Sequence, residues 1–470
     1  MINGELSIGW SRVEITPPGN SLLHGQFHAR LSKGTISPLF ATALALEVRN
    51  EEGVCEQAIL VSCDLTVIDF LDDVRQKLEG SCPGFDLRKL SLNATHTHCS
   101  PVLERGIYPE PEDEPDFMDP LACRAWVVSH VADAIQAAWT ARKPGALSRG
   151  FGYAVVGRCR RASYADGSGL MYGATDREDF RGLEACDDHA VNMLFTYDEA
   201  DKLSGVVVNL ASPSQCDESG YTYSSDFWHD VRAAIAARYG DAVHLLTQCA
   251  PAGDASPHLL LDQTEECDLR NRMGLDDKGI IARRIMAAVE EGLACASPSC
   301  KSLPFEHRVE TVLLPQIEVS RQEYELEKRL PEMSQEELER QPFGFNRIWP
   351  FGDVCNLVKR YEEQGENPQY EMEGHFIRLG DVALATNPFE LFMDYGARIR
   401  VRSKALQTFL VQLADGCGFY LPTKRALGGG HYSALTKSNW VGPEGGDQFV
   451  EKTVAEIDSL FAEEAYPRTR

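Results

Sequence analysis

Long hydrophobic runs, a basic charge balance and paired cysteines are all missing from these 470 residues, and each absence removes a class of function. No stretch approaches the roughly 20 apolar residues that a membrane-spanning helix needs. Lys and Arg number 46 against 71 Asp and Glu, a net charge of −25. A surface that acidic repels phosphate backbones and anionic headgroups, so neither nucleic acid nor a membrane is expected as a partner. The 14 cysteines include no C-x-x-C pair, which argues against a cysteine-rich zinc site. Several, such as Cys63 and Cys249, sit inside apolar strands as reduced, core-filling thiols do. Met1-Ile2-Asn3-Gly4-Glu5-Leu6 has no basic segment followed by an apolar one, so the expectation is a cytoplasmic protein. No internal repeat or low-complexity linker divides the sequence.

What is present is ordinary for a globular enzyme: 43% hydrophobic and 25% charged residues, in a chain long enough to bury a large core. Residues 1–470 read as one domain. Apolar runs of strand length alternate with stretches of helical period, which predicts an α/β fold, a mixed β-sheet core flanked by helices. Ala58 to Cys63, the amphipathic stretch Val67 to Leu78 and Leu90 to Asn93 form a βαβ pattern. Pro120 to Arg142 predicts a long helix packed on the sheet. Further strands are expected at Val206 to Leu210, Val243 to Thr247, Val309 to Leu314, Val382 to Thr386 and Phe409 to Leu413. Ser320 to Gln341, rich in Glu, Gln and Arg, reads as one charged helix with a solvated face.

Four segments could carry chemistry. Leu90 to Asn93 empties into Ala94-Thr95-His96-Thr97-His98-Cys99-Ser100-Pro101, where alternation in an extended chain aims His96 and His98 into one cavity at the strand's carboxyl end. Two imidazoles so placed suit a metal or acid/base site. Gly253-Asp254-Ala255-Ser256-Pro257-His258 also follows a strand, and by itself it is equally an ordinary turn. Asn387-Pro388-Phe389-Glu390 opens a predicted helix through Tyr395 and Arg398, so Glu390 is either a helix cap or a metal ligand, the cap being the plainer reading. In Gly418-Phe419-Tyr420-Leu421-Pro422-Thr423, Tyr420 is either a packed ring or a polar group aimed at a site.

Taken together and in order, these segments resemble the neutral/alkaline ceramidase family. The opening Trp10-Ser11-Arg12-Val13-Glu14-Ile15-Thr16-Pro17-Pro18 and the strand ending Ser62-Cys63-Asp64 are similar to that family's first strands. Thr95-His96-Thr97-His98 with Ser100-Pro101 resembles its metal-binding loop. The resemblance implies that His96, Glu390 and Tyr420 are zinc ligands and that His98 lies beside the substrate. It implies a hydrolytic role for Ser256, an active-site arginine at Arg160, and substrate contacts from Gln215, Asp254 and His258. The family's second zinc histidine has no counterpart in Asn209-Leu210-Ala211-Ser212-Pro213-Ser214-Gln215, so either His98, His229 or Glu218 completes the site or no metal is held. The chain is also expected to lack the family's immunoglobulin-like C-terminal domain, and a homo-oligomer is compatible with it.

The function implied is metal-dependent hydrolysis of an amide or ester bond in a soluble small molecule. Zinc lowers the pKa of its water to about 7 and polarises a carbonyl. His98 would move protons or bind substrate, while Arg160 and Ser256 steady the oxyanion. Ser256 is alternatively a covalent nucleophile with His98 or His258 as base. Two rivals stand beside this reading. One is a carbohydrate- or cyclitol-active enzyme whose pocket is lined by Gln26, His28, Arg160, Gln215 and Glu218; the other is a non-catalytic binding protein.

Overall fold

The strand Phe40–Arg49 shows how this sequence builds layers. Its alternate residues Ala41, Ala43 and Ala45 belong to one core and Leu44, Leu46 and Val48 to another, so a strand that is apolar throughout is buried on both faces. The computed structural model describes residues 1–111, 114–341 and 357–462.

Among the described residues, nine strands form a large mixed sheet. Eight of them run in the order Gln407–Val411, Val382–Thr386, Gln369–Leu379, Ser302–Pro315, Ile2–Glu14, Phe40–Arg49, Cys55–Cys63 and Leu90–Ala94. The small-residue face receives the helix Pro120–Thr140 through Val127, Val131, Ala134 and Ala138. A Cβ on Gly9 would stand 2.0 Å from the carbonyl oxygen of Ala138, so only glycine lets helix and strand approach this closely. The opposite face packs through Leu44, Leu46 and Phe305 on Leu194, Val207 and Leu246 of a second, four-stranded sheet. That sheet is ordered His244–Cys249, Leu203–Leu210, Ala190–Tyr197, Ala146–Tyr153, and helices Phe227–Tyr239 and Asp277–Ala294 cover its far side. The result is helix, sheet, sheet, helix.

The predicted βαβ unit is present: Cys55–Cys63 and Leu90–Ala94 pair in parallel with the helix Leu71–Lys77 between them. Two expectations need correction. Ser320 to Gln341 is not one helix but Arg321–Arg329, a 3₁₀ turn Leu330–Glu332 and Gln335–Glu339. Pro331 interrupts the backbone bonding, and Ser334 repeats the capping box that Ser320 makes with Glu323, restarting the helix. Leu330 and Leu338 are buried with Val319 and Leu357, so this segment also carries a small core of its own. Nor does Glu390 cap a helix. It lies in the short strand Phe389–Leu391, and the helix Met393–Arg402 begins after it. The carboxylate that receives the Met393 N–H is that of Asp254, at 2.8 Å, from another loop.

Candidate active site

Parallel strand pairs send their carboxyl ends to one place. Leu90–Ala94 leads to His96 and His98, Leu203–Leu210 to Gln215 and Glu218, His244–Cys249 to Gly253 and Ser256, Val382–Thr386 to Glu390, and Gln407–Val411 to Tyr420. Ligands bind at such ends because the loops there diverge and leave a crevice. A cavity of about 720 Å³ opens at this point, lined by His96, His98, Arg160, Glu218, Glu390 and Tyr420 among others. It is within the range of small-molecule sites.

Two buried amides stitch the seam. Asn209 donates to the Leu410 carbonyl at 2.9 Å. Gln412 accepts from both Ala252 N–H and Leu391 N–H, each at 2.9 Å. One side-chain oxygen thus ties the loop before Gly253 to the strand bearing Glu390. A Cβ on Gly253 would sit 2.2 Å from the carbonyl oxygen of Glu390. This glycine therefore serves close approach between the two loops rather than a sharp turn.

His96 does face the same cavity as His98, though not through extended alternation. Its φ is 60°, a left-handed turn that costs a non-glycine residue of order 1 kcal/mol or more and persists only where neighbours enforce it. The enforcing bond joins His96 Nδ1 to the Thr66 carbonyl at 2.6 Å. A carbonyl can only accept, so Nδ1 carries the proton and Nε2 presents its lone pair to the cavity. That lone pair lies 3.4 Å from Glu390 Oε2 and 3.4 Å from His98 Nε2. Glu390 is further paired with Arg160 at 3.6 Å. Although burial alone would raise its carboxyl, His96 and Arg160 hold it below the usual carboxylate range. Tyr420 is the register partner of Glu390 across the parallel pair Phe389–Leu391 and Phe419–Leu421. Burial and the Glu390 charge push its phenol well above the ordinary value.

His98 is held from three sides. Glu218 Oε2 lies 3.4 Å from Nδ1, and the Gln215 amide lies 2.8 Å from Nε2. The third restraint is Gly25, where a Cβ would meet the His98 ring at 2.4 Å. Burial pushes the imidazole down to about 4 despite the pull of Glu218. Glu218 also takes His258 Nε2 at 2.9 Å. Burial opposes its charge, but hydrogen bonds from His258 and His98 hold it well below the ordinary carboxylate range.

Arg160, 2% exposed, donates to the Gly253 carbonyl and to the Tyr172 hydroxyl, each at 2.9 Å. Ser256 is fully buried and stands behind Tyr172, whose hydroxyl donates to Ser256 Oγ at 3.3 Å. Ser256 Oγ also accepts the His258 N–H at 3.1 Å. A hydroxyl oxygen has two acceptor positions, and both are filled. The His258 ring turns to Glu218 instead.

Of the residues singled out from sequence, His96, His98, Arg160, Glu390 and Tyr420 reach the cavity wall, with Gln215 bonded to His98 behind it. Asp254 does not join them. It caps the helix Met393–Arg402, faces a smaller second cavity, and burial pushes its carboxyl up to about 6. His229 is exposed on the helix Phe227–Tyr239 and outside the lining, which removes it as a fourth ligand. Of the polar set proposed for a sugar pocket, Gln26, Arg160 and Glu218 line the wall, beside apolar Leu65, Val102, Leu103 and Ile107. Sequence reasoning missed Thr66, Tyr172 and Gln412. Only Gln412 left a signal, as a polar residue inside the run Phe409-Leu410-Val411-Gln412-Leu413.

The donors can be tested against zinc. Nitrogen and oxygen ligands at about 2.1 Å in a tetrahedral shell stand about 3.4 Å apart, which is the His96 to Glu390 separation of 3.4 Å. The Nδ1 bond of His96 to a carbonyl is the usual outer contact of a metal-ligating imidazole. Among the described residues no group of three or more His, Cys, Asp or Glu side chains is spaced to hold a metal. A zinc ion here would therefore depend on the Tyr420 phenol as third protein ligand.

No protein-family model matches the sequence, and no curated protein does. Solved structures do. A ceramidase complexed with C2 is similar over 99% of this chain and 77% of its own, with a TM-score of 0.66 at 16% identity. Neutral ceramidase from Pseudomonas aeruginosa is similar over 99% of this chain and 76% of its own, with a TM-score of 0.67 at 17% identity. The chain has the neutral-ceramidase fold, and the mixed sheet flanked by helices expected from sequence is that fold.

Proposed function

We propose that this protein is a hydrolase that cleaves the amide bond of a soluble, N-acylated small molecule in the 720 Å³ cavity, with zinc as its cofactor and the cytoplasm as its setting. The observation that carries the reading is the convergence of His96, His98, Arg160, Glu390 and Tyr420, from four separate segments, on one cavity wall. Likeness to ceramidases, which have the same fold, supports amide over other bonds. The 13 described cysteines are all free, in keeping with a reducing compartment.

His96, Glu390 and Tyr420 would hold the zinc, which supplies Lewis acidity and an acidified water. The chain's own groups do the rest. Neutral His98, with Nδ1 toward Glu218, would accept a proton from the attacking water at Nε2, the water displacing the Gln215 amide that lies there at 2.8 Å, and return one to the leaving amine. Arg160 brings a fixed, desolvated positive charge to the oxyanion, where such a charge is worth far more than in water. The mixed wall accepts an apolar acyl group more readily than a ring of hydroxyls.

The test is a panel of N-acyl amines and amino acids, esters, lactones and glycosides, with released amine and carboxylate quantified before and after chelation. Amide turnover that falls on chelation and returns with zinc is expected. Cleavage of glycosides alone would replace this reading with the carbohydrate one.

A further inference from the structure

Resting on that reading, we propose that the hydrogen-bond donor which steadies the oxyanion beside Arg160 is the Tyr172 hydroxyl, and that Ser256 is the residue that positions it.

The argument starts from access. Ser256 has no exposed surface, while Tyr172 is 37% exposed and lines the cavity. Between Ser256 Oγ and the cavity stands the Tyr172 hydroxyl. Any stabilisation that the serine gives a reacting carbonyl must therefore pass through the phenol.

Next comes the direction of the donors. Arg160 Nη1 donates to the Tyr172 oxygen at 2.9 Å, and Tyr172 donates onward to Ser256 at 3.3 Å. The first bond polarises the phenol and makes its O–H a stronger donor. The second is longer than the 2.7–2.8 Å usual for O–H···O, so it gives way to a stronger acceptor. An oxyanion arriving beside Arg160 is a far better acceptor than a neutral serine. The O–H turns to it, and Ser256 keeps the ring from swinging elsewhere when the site is empty. No bond to Tyr172 is made or broken: the carbonyl oxygen takes the electron pair as water adds to its carbon, and the phenol keeps its proton.

The backbone carries a third, independent sign. Tyr172 has a φ of 56°, a conformation rare for an aromatic residue, and such strain concentrates at functional sites. It is fixed by the Tyr172 N–H on the Arg160 carbonyl at 2.6 Å. The same two residues are thus joined through backbone and side chain, which aims the phenol at the guanidinium.

Tyr172→Phe keeps the ring and removes the donor, whereas Ser256→Ala removes only the support. With the best N-acyl amide of the panel as substrate, Tyr172→Phe is expected to lower kcat about 100-fold, as loss of an oxyanion donor does. KM and thermal midpoint should stay near those of the parent. Ser256→Ala should cost distinctly less, and adding it to Tyr172→Phe should cost nothing more. A Tyr172→Phe enzyme with parental kcat, or a loss that merely follows a fallen thermal midpoint, overturns the proposal. So does a Ser256→Ala loss larger than that of Tyr172→Phe. A wild-type protein that cleaves no amide sinks the hydrolase reading first and takes this assignment with it.

Discussion

Glu390 stands directly opposite Tyr420 in a parallel pair of three-residue strands, so two residues 30 positions apart are delivered side by side to the same wall. The pairing explains why loops from different strands can hold side chains in fixed relation. Backbone hydrogen bonds, not side-chain contacts alone, set the spacing.

Glu390→Gln keeps the volume and removes the charge, leaving buried Arg160 without its carboxylate neighbour at 3.6 Å. Breaking one side of a buried ion pair is costly, by about 3–5 kcal/mol in strong cases. The expected outcome is at least a 100-fold fall in amide turnover together with a lowered denaturation midpoint. Parental activity in this variant would show that the carboxylate has no part in the chemistry.

Gln412→Met should uncouple the Glu390 strand from the Gly253 loop. It strands two buried N–H groups, those of Ala252 and Leu391, each at a cost of roughly 1–3 kcal/mol. Urea denaturation should show a loss of about 2 kcal/mol or more, and hydrogen exchange should accelerate at both amides. Gln412→Glu, which keeps an acceptor, should retain more of both.

If Ser256 were a covalent nucleophile, its substitution would abolish turnover and an acyl-enzyme would accumulate. Both acceptor positions on its oxygen are already filled. Ser256→Ala is therefore expected to retain measurable amide cleavage. Wild-type enzyme quenched in the steady state should show no added acyl mass on the Ser256 peptide.

Acid should destabilise the fold in a defined window. Burial pushes His244 and His431 down to about 4 from 6.5, and the Met171 N–H donated to His431 Nδ1 requires an unprotonated nitrogen there. Between these values the unfolded chain binds protons that the folded one refuses. Their contribution to stability is therefore complete above about pH 6.5 and is lost as pH falls toward 4. Thermal midpoints measured across that range should drop steadily, and His244→Gln should flatten part of the slope.

Much of the site was legible in the sequence because strand ends advertise it. Apolar runs that break into Thr95-His96-Thr97-His98 or into Gly253-Asp254-Ala255-Ser256 mark loops at sheet edges, and the fold gathers those edges. What stayed hidden depends on partners far along the chain. Asp254 is one case: nothing local shows that the Met393 N–H draws its carboxylate from another loop. Tyr172 follows the short strand Gly169–Met171, and its importance lies in contacts with Arg160 and Ser256. The helix expected from Ser320 to Gln341 failed on a single proline and a second serine cap, both visible but outweighed by the charge pattern.

The most direct test of the whole account is the amide turnover of His96→Asn, since asparagine tolerates the left-handed backbone at φ 60° and the variant should fold. At least a 100-fold loss of turnover, with bound zinc reduced and the circular dichroism spectrum unchanged, is the predicted result. Turnover at the wild-type rate in that variant would contradict it.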